Sequence, residues 1–272
     1  MKITKTQALV ESAILIAIAT MLSLIKIVDL PYGGSVTIAS MLPIIIIAYR
    51  HGVGTGLTAG LVYGILQQLL GLNTLSYVST WQSVLAVILL DYIIAFLVLG
   101  LGGVFRKTFS TQAPALVLGG LLVCLLRYTC HVISGATVWA GLSIPDADAL
   151  IYSFAYNATY MLPETIVLLL AAYYVGSTLD FRSNQPVRLA KTDKKNGIPL
   201  FGILAGLIFT AGVIFDVALI FSKLQNGDTG EWNIAGLHDV NWMLFGIVTA
   251  AAAVIGTALF LAGKKVNSNK AT

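Results

Sequence analysis

Asp91, His131 and Asn157 stand inside long apolar runs. At membrane depth such side chains are costly and face the interior of a bundle or a cavity. A helix rises 1.5 Å per residue, which places Asp91 and Asn157 about 13 Å below the outer ends of their runs, with His131 and Tyr63 at about 12 Å. Four helices thus carry an acid, an imidazole, an amide and a phenol to one level. Gln67, Trp81, Trp139 and Tyr152 stand above it. Each tryptophan alone fits an interfacial anchor, and a single buried His or Asn fits interhelical glue. Tyr152, Tyr156 and Tyr160 recur every four residues and share a helix stripe, for which packing is the simplest role. The polar set at one depth beneath aromatics describes a pocket that opens outward.

Such a pocket suits a flat, cationic, partly apolar ligand. Cation–π contacts contribute about 2 kcal/mol or more when desolvated. A carboxylate and an imidazole can accept from and donate to a heteroaromatic edge, and a cationic ligand offsets the cost of an ionised Asp91 in low dielectric. The residues alone leave open an aromatic cation or a heterocycle with hydrogen-bonding edges. His131 with Asp91 could do acid–base work, and Glu164 could join a metal site. Yet there is no HExxH, no nucleophile motif and no second histidine at ligand spacing, so the chain reads as no enzyme, with no cofactor. It also lacks a GxxxxGK[ST] loop, so energy for transport must come from partners or an ion gradient. The basic residues are scattered over short loops, which excludes nucleic acid as a partner. Cys124 and Cys130 lie six apart, on different helix faces, and read as packing filler rather than a bridge or metal site.

The elements that carry these residues are membrane helices. Of 272 residues, 57% are hydrophobic and 10% charged, with a mean hydropathy of +0.88; soluble domains carry about 25% charged residues. Eight segments are predicted, at 8–28, 36–49, 54–71, 82–105, 113–139, 148–178, 198–222 and 241–263. The second is short, contains Pro43, and can be irregular or only partly spanning. The first is longer than a signal-peptide core and lacks a small-residue cleavage site. Loops on one side hold 13 of the 16 Lys and Arg residues, which places both termini in the cytoplasm. The expected fold is therefore all-α, a polytopic bundle in the lipid bilayer. It has a six-segment core over 1–179, a basic, solvated cytoplasmic linker over 180–197, and a transmembrane hairpin with a tail over 198–272. Arg127, one turn below His131, is expected to pair across helices with Glu164, and Asp216 in the hairpin reads as a locally satisfied structural residue.

Five blocks in order carry a family resemblance: Gly33-Gly34-Ser35, LTAGLVYGILQQLLG from Leu57, DYIIAF from Asp91, LRYTCHVISG from Leu126 and IYSFAYNATYMLP from Ile151. Over residues 1 to about 178 the sequence resembles the thiamine-specific S components of energy-coupling factor transporters, the ThiT group of bacterial plasma-membrane proteins. The resemblance implies a substrate-binding subunit that takes up thiamine with a transmembrane coupling subunit and two ATPase subunits. It implies that Asp91 and His131 hold the aminopyrimidine, that Trp139 stacks, and that Tyr152 and Asn157 add polar contacts. Tyr92, Tyr63 and approximately Trp81 take aromatic pocket positions. Some members have Glu at the place of Asp91 and Trp at that of Tyr63, which leaves the preference among thiamine, its phosphates and its pyrimidine precursor open. The family's first helix meets the coupling subunit through small residues, and Ala13 and Ala17 supply an AxxxA spacing there. A stand-alone secondary transporter, or an S component for a related heterocyclic vitamin or precursor, is the alternative. The absence of internal repeats weighs against the former. The hairpin after 197 lies outside the resemblance.

Overall fold

The computed structural model describes residues 4–30, 33–138, 147–189, 200–224 and 234–269. The chain divides into two compact units, Met1–Asn196 and Gly197–Thr272. The first contains α1 (Lys5–Leu24), α2 (Leu42–His51), α3 (Val53–Leu70), α4 (Trp81–Lys107), α5 (Gln112–Val138) and α6 (Ala147–Thr178). The second contains α7 (Leu200–Leu224) and α8 (Trp242–Asn269). Among the described residues, six helices are long and apolar enough to cross a membrane: α1, α3, α4, α5, α6 and the Trp242–Gly263 part of α8. The protein is an all-α, multi-pass membrane protein.

Helix α2 does not span. Its ten residues rise about 15 Å, half of a hydrocarbon core of about 30 Å. Every residue from Leu42 to Arg50 is buried, as befits a run that is apolar all round. Pro43 sits in the first turn, where its missing N–H leaves no bond unmade. An antiparallel hairpin, β1 (Lys26–Asp29) with β2 (Ser35–Thr37), fills the gap between α1 and α2.

Helix α4 is the hub. Thr80 caps it by accepting a hydrogen bond from the Ser83 N–H at 3.1 Å. It then widens to a π-turn over Ile88–Ile94 and tightens to a 3-10 winding over Val98–Lys107. The tight half carries glycines where other backbones press in. A Cβ on Gly100 would stand 2.2 Å from the Leu57 nitrogen of α3, and one on Gly103 2.2 Å from the Ala48 carbonyl oxygen of α2. From the other side, a Cβ on Gly119 of α5 would meet the Gly102 oxygen at 2.0 Å. In lipid, where apolar side chains gain little by leaving their solvent, such close backbone approach is a main source of helix association.

Helix α1 lies at the edge of this unit. Tyr63 and Gln67, one turn apart on α3, reach it through the Ala19 carbonyl at 3.4 Å and the Ser23 hydroxyl at 2.9 Å. Its outer face exposes Leu9, Ile14, Ile18 and Met21, and Ala13 and Ala17 are exposed as well. At the other end of α2, buried Arg50 gathers three segments. It donates to both Glu11 oxygens at 2.8 and 2.9 Å, and to the carbonyls of Phe181, Ser183 and Asn184 at 2.8 to 2.9 Å. Those carbonyls belong to a second hairpin, β3 (Leu179–Asp180) with β4 (Val187–Arg188). The predicted linker therefore begins as a folded piece tied to the first unit, with Arg182 and 184–189 exposed, and its residues from 190 lie outside the described ones.

The expected ion pair between Arg127 and Glu164 does not form. Glu164 is buried and accepts from the Thr37 N–H at 2.5 Å and its hydroxyl at 2.7 Å, satisfying a strand end that would otherwise be orphaned. Arg127 instead lies over the Phe96 ring, 4.4 Å from its centre, and points one nitrogen at the Met41 sulfur, 3.1 Å away. In the second unit, a Cβ on Gly212 would stand 2.7 Å from the Ala252 Cβ. There Asp216 accepts from the Thr249 hydroxyl at 2.7 Å.

Gly100→Ala tests the hub. The new methyl meets backbone that cannot swing aside, so thermal unfolding in detergent should show a loss of about 1–3 kcal/mol. Gly54→Ala, on α3 with nothing within 4 Å of the added Cβ, should shift stability by no more than about 1 kcal/mol.

Candidate functional site

Three helices bring polar groups together in the first unit. The His131 Nδ1 lies 2.8 Å from one Asp91 oxygen, and the Ser134 hydroxyl donates to the other at 2.5 Å. Asp91 projects from the π-turn of α4, and Ser134 opens the π-turn Ser134–Val138 of α5. Two widened turns therefore face each other at the carboxylate. Such turns insert one residue into a helix and re-aim its side chains, and they concentrate at functional sites.

Helix α6 completes the cluster. The Asn157 amide donates to the Ser153 carbonyl at 2.8 Å, the Ser153 hydroxyl at 3.2 Å and the His131 carbonyl at 3.3 Å. Its oxygen accepts from the Tyr160 hydroxyl at 2.7 Å. The predicted tyrosine stripe exists as a packed series. Tyr152 and Tyr156 stack at 5.8 Å, Tyr156 and Tyr160 meet edge-on at 6.0 Å, and Tyr160 meets the His131 ring at 6.1 Å. The turn after β1 closes on this stripe, since a Cβ at Gly34 would stand 2.7 Å from the Tyr160 ring. Tyr92 lies at the same turn, its hydroxyl donating to the Thr74 hydroxyl at 3.1 Å, while a Cβ on Gly33 would stand 3.3 Å from Thr74.

One atom of the cluster has no partner among the described residues: the His131 Nε2 is buried without a hydrogen bond. With Nδ1 turned to a carboxylate, Nε2 is left to accept when the ring is neutral or to donate when it is charged. A buried ring nitrogen of this kind calls for a partner that the described residues do not supply. A carboxylate braced by a hydroxyl, an imidazole with one open nitrogen and a ladder of aromatic rings can hold a polar heteroaromatic edge.

Not every predicted residue joins this cluster. Tyr63 is fully buried and packs edge-on to Phe96 at 5.2 Å, while its hydroxyl serves α1. Gln67 likewise turns to Ser23 of α1. Both stand at the expected height along α3, but rotation of 100° per residue sets azimuth independently of height. Trp81 begins α4 at 73% exposure, as an interfacial anchor would. Trp139 lies outside the described residues. Ser134, Ser153 and Tyr160 were missed from sequence, although each stands three or four residues from a chosen one, on the same helix face.

A model of the family described as thiamine transporter protein matches residues 9–180. Thiamine transporter ThiT of Bacillus subtilis is 35% identical over 197 residues, covering 68% of this chain and 95% of that protein. The chain belongs to the thiamine transporter family. Thiamine transporter ThiT of Lacticaseibacillus paracasei is 26% identical over 175 residues, covering 58% of this chain and 81% of that protein. A solved ThiT structure from Listeria monocytogenes aligns with 60% of this chain and 90% of its own, at 25% identity and a TM-score of 0.48. The thiamine transporter family is one of transport proteins rather than enzymes. Its match covers α4, α5 and the cluster on α6, and it ends before α7 and α8.

The hydroxyl of Tyr160 offers a direct test of this packing. Tyr160→Phe leaves the buried Asn157 oxygen without its donor and should cost about 1–3 kcal/mol in thermal unfolding. Tyr128→Phe removes an exposed bond to the Phe154 carbonyl and should cost less than half as much.

Proposed function

We propose that the protein captures thiamine as the substrate-binding subunit of an energy-coupling factor importer. In this reading Asp91 and His131 hold the aminopyrimidine, and the open His131 Nε2 meets the ring edge. Tyr92, Tyr152 and Trp139 surround the cationic ring system, with Asn157 fixing the local backbone. The single observation that carries the reading is the braced Asp91–His131 pair with its unpartnered nitrogen, in a chain whose family is that of thiamine transporters.

The concentration of Lys and Arg on one side supports cytoplasmic termini in the bacterial cell membrane, with the pocket opening outward. Exposed Ala13 and Ala17 on α1 support docking of a transmembrane coupling subunit through close helix approach. Two ATPase subunits on that partner then supply the energy. Domain roles follow: a substrate-binding core over 1–179, a basic connection over 180–197, and an added hairpin over 198–272.

Equilibrium thiamine binding to the purified protein in detergent, read by tryptophan fluorescence, tests the reading. Submicromolar binding is expected. Asp91→Asn removes the charge that His131 and the ligand share and should weaken binding on the order of 100-fold or more, and Trp139→Ala should weaken it as well. A folded protein that ignores thiamine would leave the family fold with a different ligand. Full-rate uptake into liposomes holding this chain alone would rule out the ATP-driven scheme.

A further inference from the structure

At the end of α4 far from Asp91 lies a cleft of about 200 Å3, lined by Tyr49, Arg50, Arg106, Lys107, Phe181 and Arg182. Four of these six side chains are cationic. Donor counting separates them. A guanidinium offers five N–H groups, and Arg50 commits all five to Glu11 and to the β3–β4 hairpin. Arg182 commits three, to the Tyr49 hydroxyl and to the carbonyls of Phe109 and Ser110, and keeps two. Arg106 and Lys107 have neither a hydrogen-bonding nor an acidic partner among the described residues.

The carboxylates nearby are already engaged. Glu11 is bound by Arg50 and His51. Asp180 accepts from the Arg182 N–H and the Ser183 hydroxyl, and these bonds hold its carboxyl below the usual range. The cleft therefore keeps a surplus of positive charge with rigid walls. Gly52 adds to the shape. Its backbone is in the left-handed region (φ +99°), and a Cβ there would stand 2.9 Å from an Arg106 terminal nitrogen. The positive φ favours glycine there, and its missing side chain leaves room for Arg106 at the corner between α2 and α3.

Position points to the source of the anion. Arg106 and Lys107 form the last turn of a spanning helix, where headgroups lie. Val104, half-exposed on the same turn, adds an apolar side chain beside them. Guanidinium forks match phosphate oxygens in pairs. We propose that this cleft binds the phosphate group of an anionic phospholipid, with Arg106, Lys107 and the free donors of Arg182 as its ligands.

Native mass spectrometry of the full chain in detergent, titrated with phosphatidylglycerol or phosphatidylcholine, tests the site. Phosphatidylglycerol should be retained preferentially, and Arg106→Gln or Lys107→Gln should each weaken it about fivefold. Arg106→Lys, which keeps the charge without the fork, should fall between. Arg188→Gln, a charge loss on the exposed part of the same hairpin, should change nothing. Equal loss in Arg188→Gln would overturn the site in favour of diffuse surface attraction. Displacement of the lipid by equimolar glycerol phosphate would overturn the lipid as its source.

Discussion

The backbone of α4 can be approached on three sides at once, and the rest of the first unit depends on that. Gly100, Gly102 and Gly103 remove the side chains that would hold α2 and α3 away, and Gly119 of α5 does the same on the third side. Water is not available to drive these helices together, so surface contact at backbone distance has to serve instead. The same helix changes winding along its length, tight where it is gripped and wide where Asp91 emerges. Fixing the tight half sets the place of the wide half. The carboxylate is thus aimed by packing that lies more than a turn away from it.

Several polar groups inside the unit find their partners within the protein. Glu164 serves Thr37, and Asn157 ties α6 to the backbone of α5. Arg127 has the Phe96 face in place of a carboxylate. Against this background the open nitrogen of His131 is conspicuous, because Asp91, Ser134 and Tyr160 fix the ring around it so completely.

Asp91, His131 and Asn157 were legible in the sequence because ionisable and amide groups are rare in apolar runs, and helical rise converts their positions into depth. Depth alone does not bring Tyr63 and Gln67 into this cluster, because their azimuth turns them to α1. The pairing expected of Arg127 and Glu164, from opposite charges inside apolar runs, does not form either. The Thr37 N–H took precedence, and an unpaired strand end of a hairpin buried among helices leaves no mark in a hydropathy profile. Hydroxyls such as Ser134 and Tyr160 were passed over because apolar helices tolerate them at low cost. The short α2 is doubtful as a span from Pro43 and length, and its nine buried residues out of ten explain why an apolar run need not cross the membrane.

Arg50 has a mechanical consequence. It grips α1 through Glu11 and, in the same planar group, the β3–β4 hairpin through three carbonyls. Gln7 of α1 adds a second strap, to the Asn184 carbonyl. The near end of the first helix is therefore geared to the segment that follows the sixth. A tilt of α1 has to drag that hairpin along or strip a buried guanidinium of its acceptors, so the helix edge turns as a hinged door with its jamb attached, rather than as a free flap.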